Sequence, residues 1–174
     1  FERAIELDPL HVVDHFNLGL YATYAGRFER GEAAVRKALE IVPELPGAHA
    51  ALGRIHLLDA RPDEALGEMT LETHPSWRRY GLALAYHALG RVSDAQAALG
   101  DFITHDGADG AFQIAEVHAY RSEADAALHW LDRAYEQRDP GLAFLKGDPL
   151  FRGIATDPRF DAFLRRMRLT EPQG

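Results

Sequence analysis

Cysteine is absent from this 174-residue sequence, and serine is scarce. Without cysteine the chain forms no disulfide, uses no thiolate in catalysis and holds no zinc through sulfur. The serines are Ser76, Ser93 and Ser122, and none stands in the Gly-x-Ser-x-Gly turn that exposes a hydrolase nucleophile. The sequence therefore excludes cysteine chemistry, and it lacks the motif of a serine hydrolase.

Long apolar runs and an excess of positive charge are also missing. No stretch approaches the ~20 apolar residues that cross a bilayer, and no signal peptide opens the sequence, so we expect a cytoplasmic protein without membrane contact. The formal net charge is −8 and the pI is near 5.5, which repels phosphate backbones. Because the one basic cluster, Arg165, Arg166 and Arg168, is short, we expect no nucleic-acid binding by this segment.

A repeat with a period of 34 residues is what the sequence does contain. Segments 1–9 and 35–43 carry one pattern, in which Pro9 recurs as Pro43. A fixed period of this length indicates a stacked array of small units, which presents binding surfaces more often than reaction centres. The first copy lacks its front half, so we expect the chain to begin inside a repeat, with a possible targeting segment upstream.

Each unit has the pattern of two helices joined by a tight turn. Between Val12 and Pro43 the apolar residues follow helical spacing, which is broken once at residues 25–27. Small residues such as Gly19 and Ala38 recur where two antiparallel helices must approach closely, and Pro43 stops the second helix. We therefore predict a helical hairpin in each unit.

These hairpins resemble the tetratricopeptide repeat (TPR) family over nearly the whole chain. The similarity rests on spread signature positions, which are met in four successive units by Leu18-Gly19 with Pro43, Leu52-Gly53 with Pro75, Leu82-Ala83 with Phe102, and Ile114-Ala115 with Ala134. It implies an all-α fold, in which antiparallel helical hairpins form a right-handed superhelix, that is, a TPR-like α-solenoid with a C-terminal capping segment. Pro75 is expected to stop the second helix of its unit about four residues early.

The family frame divides the sequence into three segments. Residues 1–11 are expected to form the second helix of a truncated repeat, and residues 139–174 the capping segment. Between them, residues 12–138 are expected to form four hairpins, at 12–45, 46–75, 76–107 and 108–138.

The capping segment is predicted from two Asp-Pro-x-Phe steps, at Asp148 and Asp157. Aspartate accepts free amide hydrogens at a helix start, and the proline after it has no amide hydrogen to leave unpaired. Each step should open a helix, the second running to about Met167, and the repeat period is expected to fail from Asp139 onward. This tail resembles the ends of many bacterial TPR proteins, in which the array often follows a winged-helix, cyclase or kinase domain.

Nine histidines raise the question of a metal or acid–base site. His11, Asp14 and His15 place two imidazoles one helical turn apart, but the sequence has no His-Glu-x-x-His arrangement to complete a metal site. We therefore predict no metal, no cofactor and no catalytic residue. Four histidines occupy places where the family packs aromatic rings, and we expect them to be neutral and hydrogen-bonded between helices, so that acid loosens the array: His15, His49, His56 and His118.

The resemblance also implies a binding groove, because the first helix of each unit lines the concave side of such a stack. Large amphipathic rings and arginine are the usual anchors of protein interfaces. Trp77 and Tyr80 are the strongest candidates to contact a ligand, whereas Phe16 and Phe112 are the most open to internal packing. The predicted groove residues are Phe16, Leu20, Tyr24, Arg54, Trp77, Tyr80, Leu84, His87, Phe112 and Glu116.

The leading functional prediction is a non-catalytic module that binds a protein segment, extended or helical, in this groove. The acidic C-termini of chaperones are disfavoured as partners, because Phe16, Leu20 and Ala50 stand where the family's polar clamp would be needed and the chain is itself acidic. The alternative is a sensor or regulatory region of a larger signalling protein that binds a small ligand or its own output domain. A hydrolase using His11 or His15 is a weaker third hypothesis, and self-association through the N-terminal end is an additional expectation.

Overall fold

The computed structural model describes residues 1–169, apart from the side chain of Glu2, and all regular structure in that part of the chain is helical. None of its helices is both long and apolar enough to cross a membrane. The predicted all-α fold is therefore confirmed, while residues 170–174 of the predicted capping segment lie outside the described residues. The α-helices are α1 (Glu2–Leu7), α2 (Val12–Tyr24), α3 (Phe28–Ile41), α4 (Ala48–Leu58), α5 (Pro62–Leu71), α6 (Pro75–Ala88), α7 (Val92–Asp106), α8 (Ala111–Tyr120), α9 (Ala124–Gln137) and α10 (Pro158–Arg166), with 3₁₀ helices at Pro140–Gly147 and Pro149–Ile154.

The chain forms two compact units, Phe1–Ala98 and a second that starts at Leu99, so that the division falls inside α7. In the first unit α2 packs against α3 and α4 against α5, and in the second unit α8 packs against α9. Because only three residues connect the helices of each pair, the helices run in opposite directions and form hairpins. The boundaries between whole repeats stay a prediction.

Small residues allow the paired helices to approach closely. A Cβ atom at Gly19 would overlap the Val35 side chain across the first hairpin, and a Cβ atom at Gly53 would come within 2.5 Å of Met69 Cγ across the second. Gly81 of α6 meets the same methionine, whose side chain is fully buried. The small-residue positions of the sequence thus mark the helix contacts of the first unit.

The turns of the four successive hairpins share one backbone geometry. Each contains a residue in the left-handed region, namely Gly26 (φ 71°), Ala60 (φ 57°), Gly90 (φ 67°) and Ser122 (φ 60°), at spacings of 34, 30 and 32 residues. The N–H of the following residue donates to the carbonyl five residues earlier, at 2.8 to 2.9 Å in all four turns. This bond closes the preceding helix in the way that a Schellman motif does. The repeat period therefore persists through four turns with small contractions.

Pro75 begins a helix and does not stop one, which corrects the expectation from the sequence. Helix α5 already ends at Leu71, and Pro75 is the first residue of α6, with His74 as its N-cap. Proline suits this place because the first helical position has no intrahelical partner for an amide hydrogen. Pro62 opens α5 in the same way.

The capping segment contains three Asp-Pro steps, one more than the sequence analysis singled out. The side chains of Asp139, Asp148 and Asp157 accept hydrogen bonds from the amides of Gly141, Leu150 and Arg159. The first two steps open the 3₁₀ helices and the third opens α10, which runs to Arg166 and close to the expected end at Met167. The capping chemistry predicted for Asp148 and Asp157 is confirmed.

Two ion pairs of the capping segment each join residues that are 34 positions apart, while the expected failure of the repeat period from Asp139 onward stays a prediction. Arg159 of α10 pairs with Asp125 of α9 at 2.6 Å, and Arg166 pairs with Asp132 at 2.5 Å, both over 34 positions. Helix α10 therefore lies along α9. The sequence hides this relation because the two 3₁₀ helices stand where a regular first helix would be expected.

Candidate binding face

The first helices of the first unit contact one another in the order α2, α4, α6. These helices present six of the predicted groove residues with partial exposure, so that part of each side chain is held by its neighbours and part is open to solvent. We refer to the six as the first-helix face: Phe16, Leu20, Tyr24, Arg54, Trp77 and His87. Their role in binding stays a prediction.

Phe16 and Leu20 form the apolar part of this face. Both side chains pack against a buried cluster from α3 and α4 that includes Val35, Leu52 and Ile55. This packing already restricts the rotamers of Phe16 and Leu20. These two side chains would therefore lose little conformational entropy when a ligand binds.

Tyr24 and Arg54 form the polar part of the face and connect α2 to α4. The guanidinium carbon of Arg54 lies 5.1 Å from the centre of the Tyr24 ring. A cation at this distance is attracted by the ring quadrupole, which contributes roughly 0.5 to 2 kcal/mol depending on desolvation. Both side chains are partly exposed.

Trp77 lies over the residue that precedes α4. Gly47 has φ +82°, and a Cβ atom there would come within 3.2 Å of Trp77 Nε1, so a larger residue would crowd the indole. The Trp77 ring also contacts Tyr80 edge to face, with 5.9 Å between the ring centres. The indole is thus held against the N-terminus of α4 and in contact with its own helix.

The buried side chain of Glu72 holds the N-termini of α4 and α6 together beneath Trp77. The sequence analysis did not identify this residue. Its side chain is only 1% exposed, and its carboxylate accepts hydrogen bonds from the amides of Gly47, Ala50 and His74 at 3.2, 3.1 and 2.9 Å. Neither α4 nor α6 has an acidic residue in its first turn. One buried carboxylate therefore serves the N-termini of both helices, where negative charge is favourable. The only sequence signal is a glutamate shortly before a helix-opening proline.

The other four predicted groove residues are buried. In the first unit Tyr80 is 3% exposed and Leu84 is fully enclosed, and in the second unit Phe112 and Glu116 are each 2% exposed. A ligand cannot contact such side chains without displacing their neighbours. The expectation that Tyr80 is presented to a ligand is therefore corrected, and the internal packing considered for Phe112 is observed.

The capping segment encloses Phe112. Both 3₁₀ helices pack against α8, and a Cβ atom at Gly141 would overlap the Phe112 ring. Phe151 lies 5.7 Å from Phe112 and stacks on Phe160, with ring planes 6° apart. The first helix of the last hairpin is thus covered by the chain itself.

A cluster of ionisable residues lies on α3, α4 and α5 and in the turn before α5. Arg61 donates to Glu32 at 2.8 Å, Arg36 bridges Glu32 and Glu68 at 2.9 and 3.3 Å, and Glu68 accepts from His49 at 2.8 Å. Burial by itself would raise the pKa of Glu32, but hydrogen bonds from Arg61 and Arg36 outweigh it and the pKa lies below its usual value. Glu32 and Glu68 are both paired with arginine, so the cluster is suited to joining helices.

Several histidines have structural partners. His15 donates to the Pro9 carbonyl at 2.9 Å, His118 pairs with Glu123 at 2.6 Å, and His11 pairs with Asp14 at 2.8 Å. No group of three metal-ligating side chains is present in residues 1–169. His11 and His15 point their polar atoms at different partners, which disfavours a joint metal or hydrolase site.

His56 differs from the other histidines. It is 1% exposed, its Nδ1 has no hydrogen-bond partner, and this atom lies 3.8 Å from a Glu32 oxygen. Burial, followed by the charge of Arg61, lowers the pKa of His56. The lowered pKa favours the neutral imidazole, but the hydrogen bond that the sequence analysis also expected is absent at Nδ1.

Comparison with known proteins identifies the fold. No protein-family model matches the sequence, and no curated protein matches it. The fold is similar to that of YrrB, a TPR protein with an unusual peptide-binding site, with a TM-score of 0.53 over 96% of this chain and 97% of that chain at 19% sequence identity. The helical hairpins, their repeated turns and this match agree, and the chain has a TPR-like fold.

Proposed function

We propose that this chain is a non-catalytic protein–protein interaction module that binds a segment of a partner protein on the first-helix face. One observation carries the proposal: Phe16, Leu20, Tyr24, Arg54 and Trp77 remain partly exposed on consecutive first helices, although Leu52, Ile55 and Leu57 of α4 and Leu84 of α6 are buried. The peptide-binding site of YrrB, a protein of similar fold, supports this choice of function.

The energetics favour an extended or helical protein segment as ligand. Burying one aliphatic or aromatic side chain of a partner contributes about 1.5 to 3 kcal/mol. Two or three such contacts on Phe16, Leu20 and Tyr24, added to hydrogen bonds from the backbone of the segment, would offset the entropy lost on association. The proposal includes no catalytic activity and no cofactor, and it keeps the cytoplasmic setting expected from the sequence.

The proposal is tested by comparing two tyrosines that share a local environment. Peptides are first selected from a displayed library of random sequences against the intact chain, and their affinities are measured by fluorescence anisotropy. Tyr24→Ala is expected to weaken binding of the selected peptides by about tenfold, because truncating an aromatic anchor costs roughly 1 to 2 kcal/mol.

Tyr86→Ala is the matched control. Tyr86 also lies partly exposed on a first helix under an arginine, with Arg91 4.5 Å from its ring centre, but it is not part of the first-helix face. Its substitution should leave peptide affinity unchanged, and circular dichroism should show equal helix content in both variants. Full retention of affinity by Tyr24→Ala would reject this site.

A further inference from the structure

Helix α2 carries large apolar side chains on the side that faces solvent. Val13 is 50% exposed and Tyr21 is 49% exposed, and Asn17 lies midway between them in the sequence. Because positions four residues apart share one face of an α-helix, these three side chains form a row, which we call the α2 stripe. Contiguous exposed apolar surface of this kind marks a site of interaction with another protein surface.

The two ends of the α2 stripe differ in character. At the Tyr21 end the Phe1 ring is 47% exposed, and its centre lies 5.2 Å from the centre of the Tyr21 ring. At the Val13 end, Leu10 precedes Val13 by three residues and is 71% exposed. One end of the stripe is therefore aromatic and the other is aliphatic.

Asn17 stands at the centre of the α2 stripe with its amide unused. Its side chain is partly buried and forms no hydrogen bond with any described residue. A primary amide has both a donor and an acceptor, so two identical amides satisfy each other. A single asparagine among apolar side chains is also the residue that fixes the register of paired helices.

The corresponding face of α4 is covered by a neighbouring helix. Ala51 and Ile55 stand 34 positions after Asn17 and Tyr21, and they are 8% and 1% exposed. Both belong to the buried cluster against which side chains of α2 pack. This face of a first helix therefore accommodates another helix within the same unit, and the α2 stripe has the surface for the same kind of contact.

We propose that the chain forms a symmetric dimer in which the α2 stripe packs on the α2 stripe of a second copy, with the two helices antiparallel. A twofold axis at Asn17 brings the two amides together. Val13 of each copy then lies opposite Tyr21 of the other, because both residues are four positions from the axis. The aliphatic end of one stripe covers the aromatic end of the other. This inference is independent of the proposed function.

A contact between unlike ends of two copies is disfavoured. Helix α10, the last helix of the described chain, exposes charged side chains, including Arg159, Asp161, Arg165 and Arg168. Packing the apolar α2 stripe on this helix would take charges out of water without new partners for them. An isologous contact uses the same surface on both copies and closes at two, which the α2 stripe satisfies.

The absence of cysteine allows a direct test of the register. Asn17→Cys should form a disulfide-linked dimer on mild oxidation, because the axis brings the two Cα atoms into the range of about 4.4 to 6.8 Å that a disulfide spans. Val13→Cys should cross-link at least tenfold more slowly, since the two copies of this residue are displaced by about 12 Å along antiparallel helices. The double variant Val13→Cys/Tyr21→Cys should cross-link rapidly again.

Sedimentation equilibrium of the intact chain measures the strength of the dimer. Val13→Glu should raise the dissociation constant at least tenfold, because its carboxylate would be buried against an aromatic ring. Asn17→Asp should do the same at pH 7.5, where it places two like charges at the axis. Val92→Glu is the matched control, since Val92 opens α7, is 72% exposed and lies outside the α2 stripe. Its dissociation constant should equal that of the unmodified chain, and circular dichroism should show equal helix content in all variants.

Three results would overturn the dimer. The first is a chain that stays monomeric at high micromolar concentration. The second is a dimer that Val13→Glu weakens no more than Val92→Glu does, which would place the interface elsewhere. The third is cross-linking that is equally fast for Asn17→Cys, Val13→Cys and Val92→Cys, which would indicate random collisions. None of these results affects the proposed peptide binding, which depends on Tyr24 and is measured separately.

Discussion

Among the single residues of the first unit, two buried polar side chains, Glu72 and His56, differ in how well their hydrogen bonds are satisfied. Glu72 is fully satisfied, with three amide hydrogens on one carboxylate, whereas His56 leaves Nδ1 without a partner. The two differ in their response to acid. Neutral His56 has a lowered pKa, so its protonation is resisted only while the chain is folded.

His56 predicts a loss of stability on mild acidification. Because its pKa is lowered by folding, the unfolded chain binds the proton more readily below about pH 6.5, and the free energy of unfolding falls as pH decreases from there. The slope is at most about 1.4 kcal/mol per pH unit for one proton. Urea unfolding should therefore show a lower midpoint at pH 5.5 than at pH 7.5.

The groups facing His56 also act, but Glu32 does so in a different pH range. Because folding lowers the pKa of Glu32, this group stabilises the fold above the ordinary glutamate pKa of 4.5, and the contribution is lost only as pH falls below that value. Arg61 keeps its charge throughout, and Glu64 and Glu68 attract a proton to His56. The window from pH 7.5 to 5.5 therefore separates the effect of His56 from that of Glu32.

Two variants assign the effect. His56→Gln should reduce the pH dependence between 7.5 and 5.5, whatever its effect on absolute stability. His74→Gln, at an exposed histidine, should leave the dependence as it is. An unchanged slope in His56→Gln would show that other groups cause it.

The shared turn is the feature that sets the geometry at the scale of elements. Two of the four turns place glycine at the left-handed position, but Ala60 and Ser122 occupy it with a Cβ atom. A non-glycine residue pays roughly 1 to 2 kcal/mol in this region, while glycine gains some entropy in the unfolded chain. The second and fourth hairpins thus retain strain that the first and third avoid.

Relief of that strain predicts a stabilising substitution. Ala60→Gly should raise the free energy of unfolding by about 0.5 to 1 kcal/mol, measured by urea denaturation. The matched control is Ala33→Gly, at an exposed site inside α3, which should lower it by about 1 kcal/mol. If Ala60→Gly destabilises the chain as much as the control does, turn strain is not a significant cost.

The capping segment covers α8, so that the surface of this helix is not accessible to a ligand. It covers α8 through the 3₁₀ helices and buries Phe112, while α10 lies along α9 with ion pairs at 34-residue spacing. The exposed ion pairs contribute little by themselves. The contact of Phe151 with Phe112 of α8, at 5.7 Å between ring centres, contributes more, because aromatic side chains bury a large area.

The whole molecule consists of two compact units, and each holds one tryptophan. Trp77 belongs to the first unit and Trp130 to the second, and the sequence has no others. Repeat proteins are stabilised by neighbouring contacts, so distant parts can respond unequally to a local change. Single-tryptophan variants, Trp130→Phe and Trp77→Phe, therefore report on one unit each.

Glu72→Ala predicts an unequal response of the two units. It leaves the buried amides of Gly47 and Ala50 without an acceptor, which costs roughly 2 to 4 kcal/mol. The urea midpoint reported by Trp77 should fall more than that reported by Trp130, and Glu40→Ala, at an exposed glutamate, should change neither. Equal shifts would show that the chain unfolds as one cooperative unit.

Two expectations about the whole molecule stay predictions. Exposed apolar side chains gather near the start of the described chain, including Leu7 at 74%, Leu10 at 71% and Val13 at 50%, which keeps self-association through that end open to test. The regulatory role within a larger signalling protein also stays a prediction. The TPR-like fold is compatible with this role and with peptide binding, since a fold does not determine a function.

Local chemistry let the sequence by itself determine the helices, the turn positions and the aspartate caps. Apolar spacing, small residues and Asp-Pro steps act within one or two turns of the chain, so they can be recognised without knowing the fold. Only the tertiary structure decided which first-helix residues stay exposed. Phe112 is enclosed by Gly141 and Phe151, and Glu72 reaches Gly47 from 25 positions away. Contacts between distant segments depend on how helices stack, and no local pattern records them.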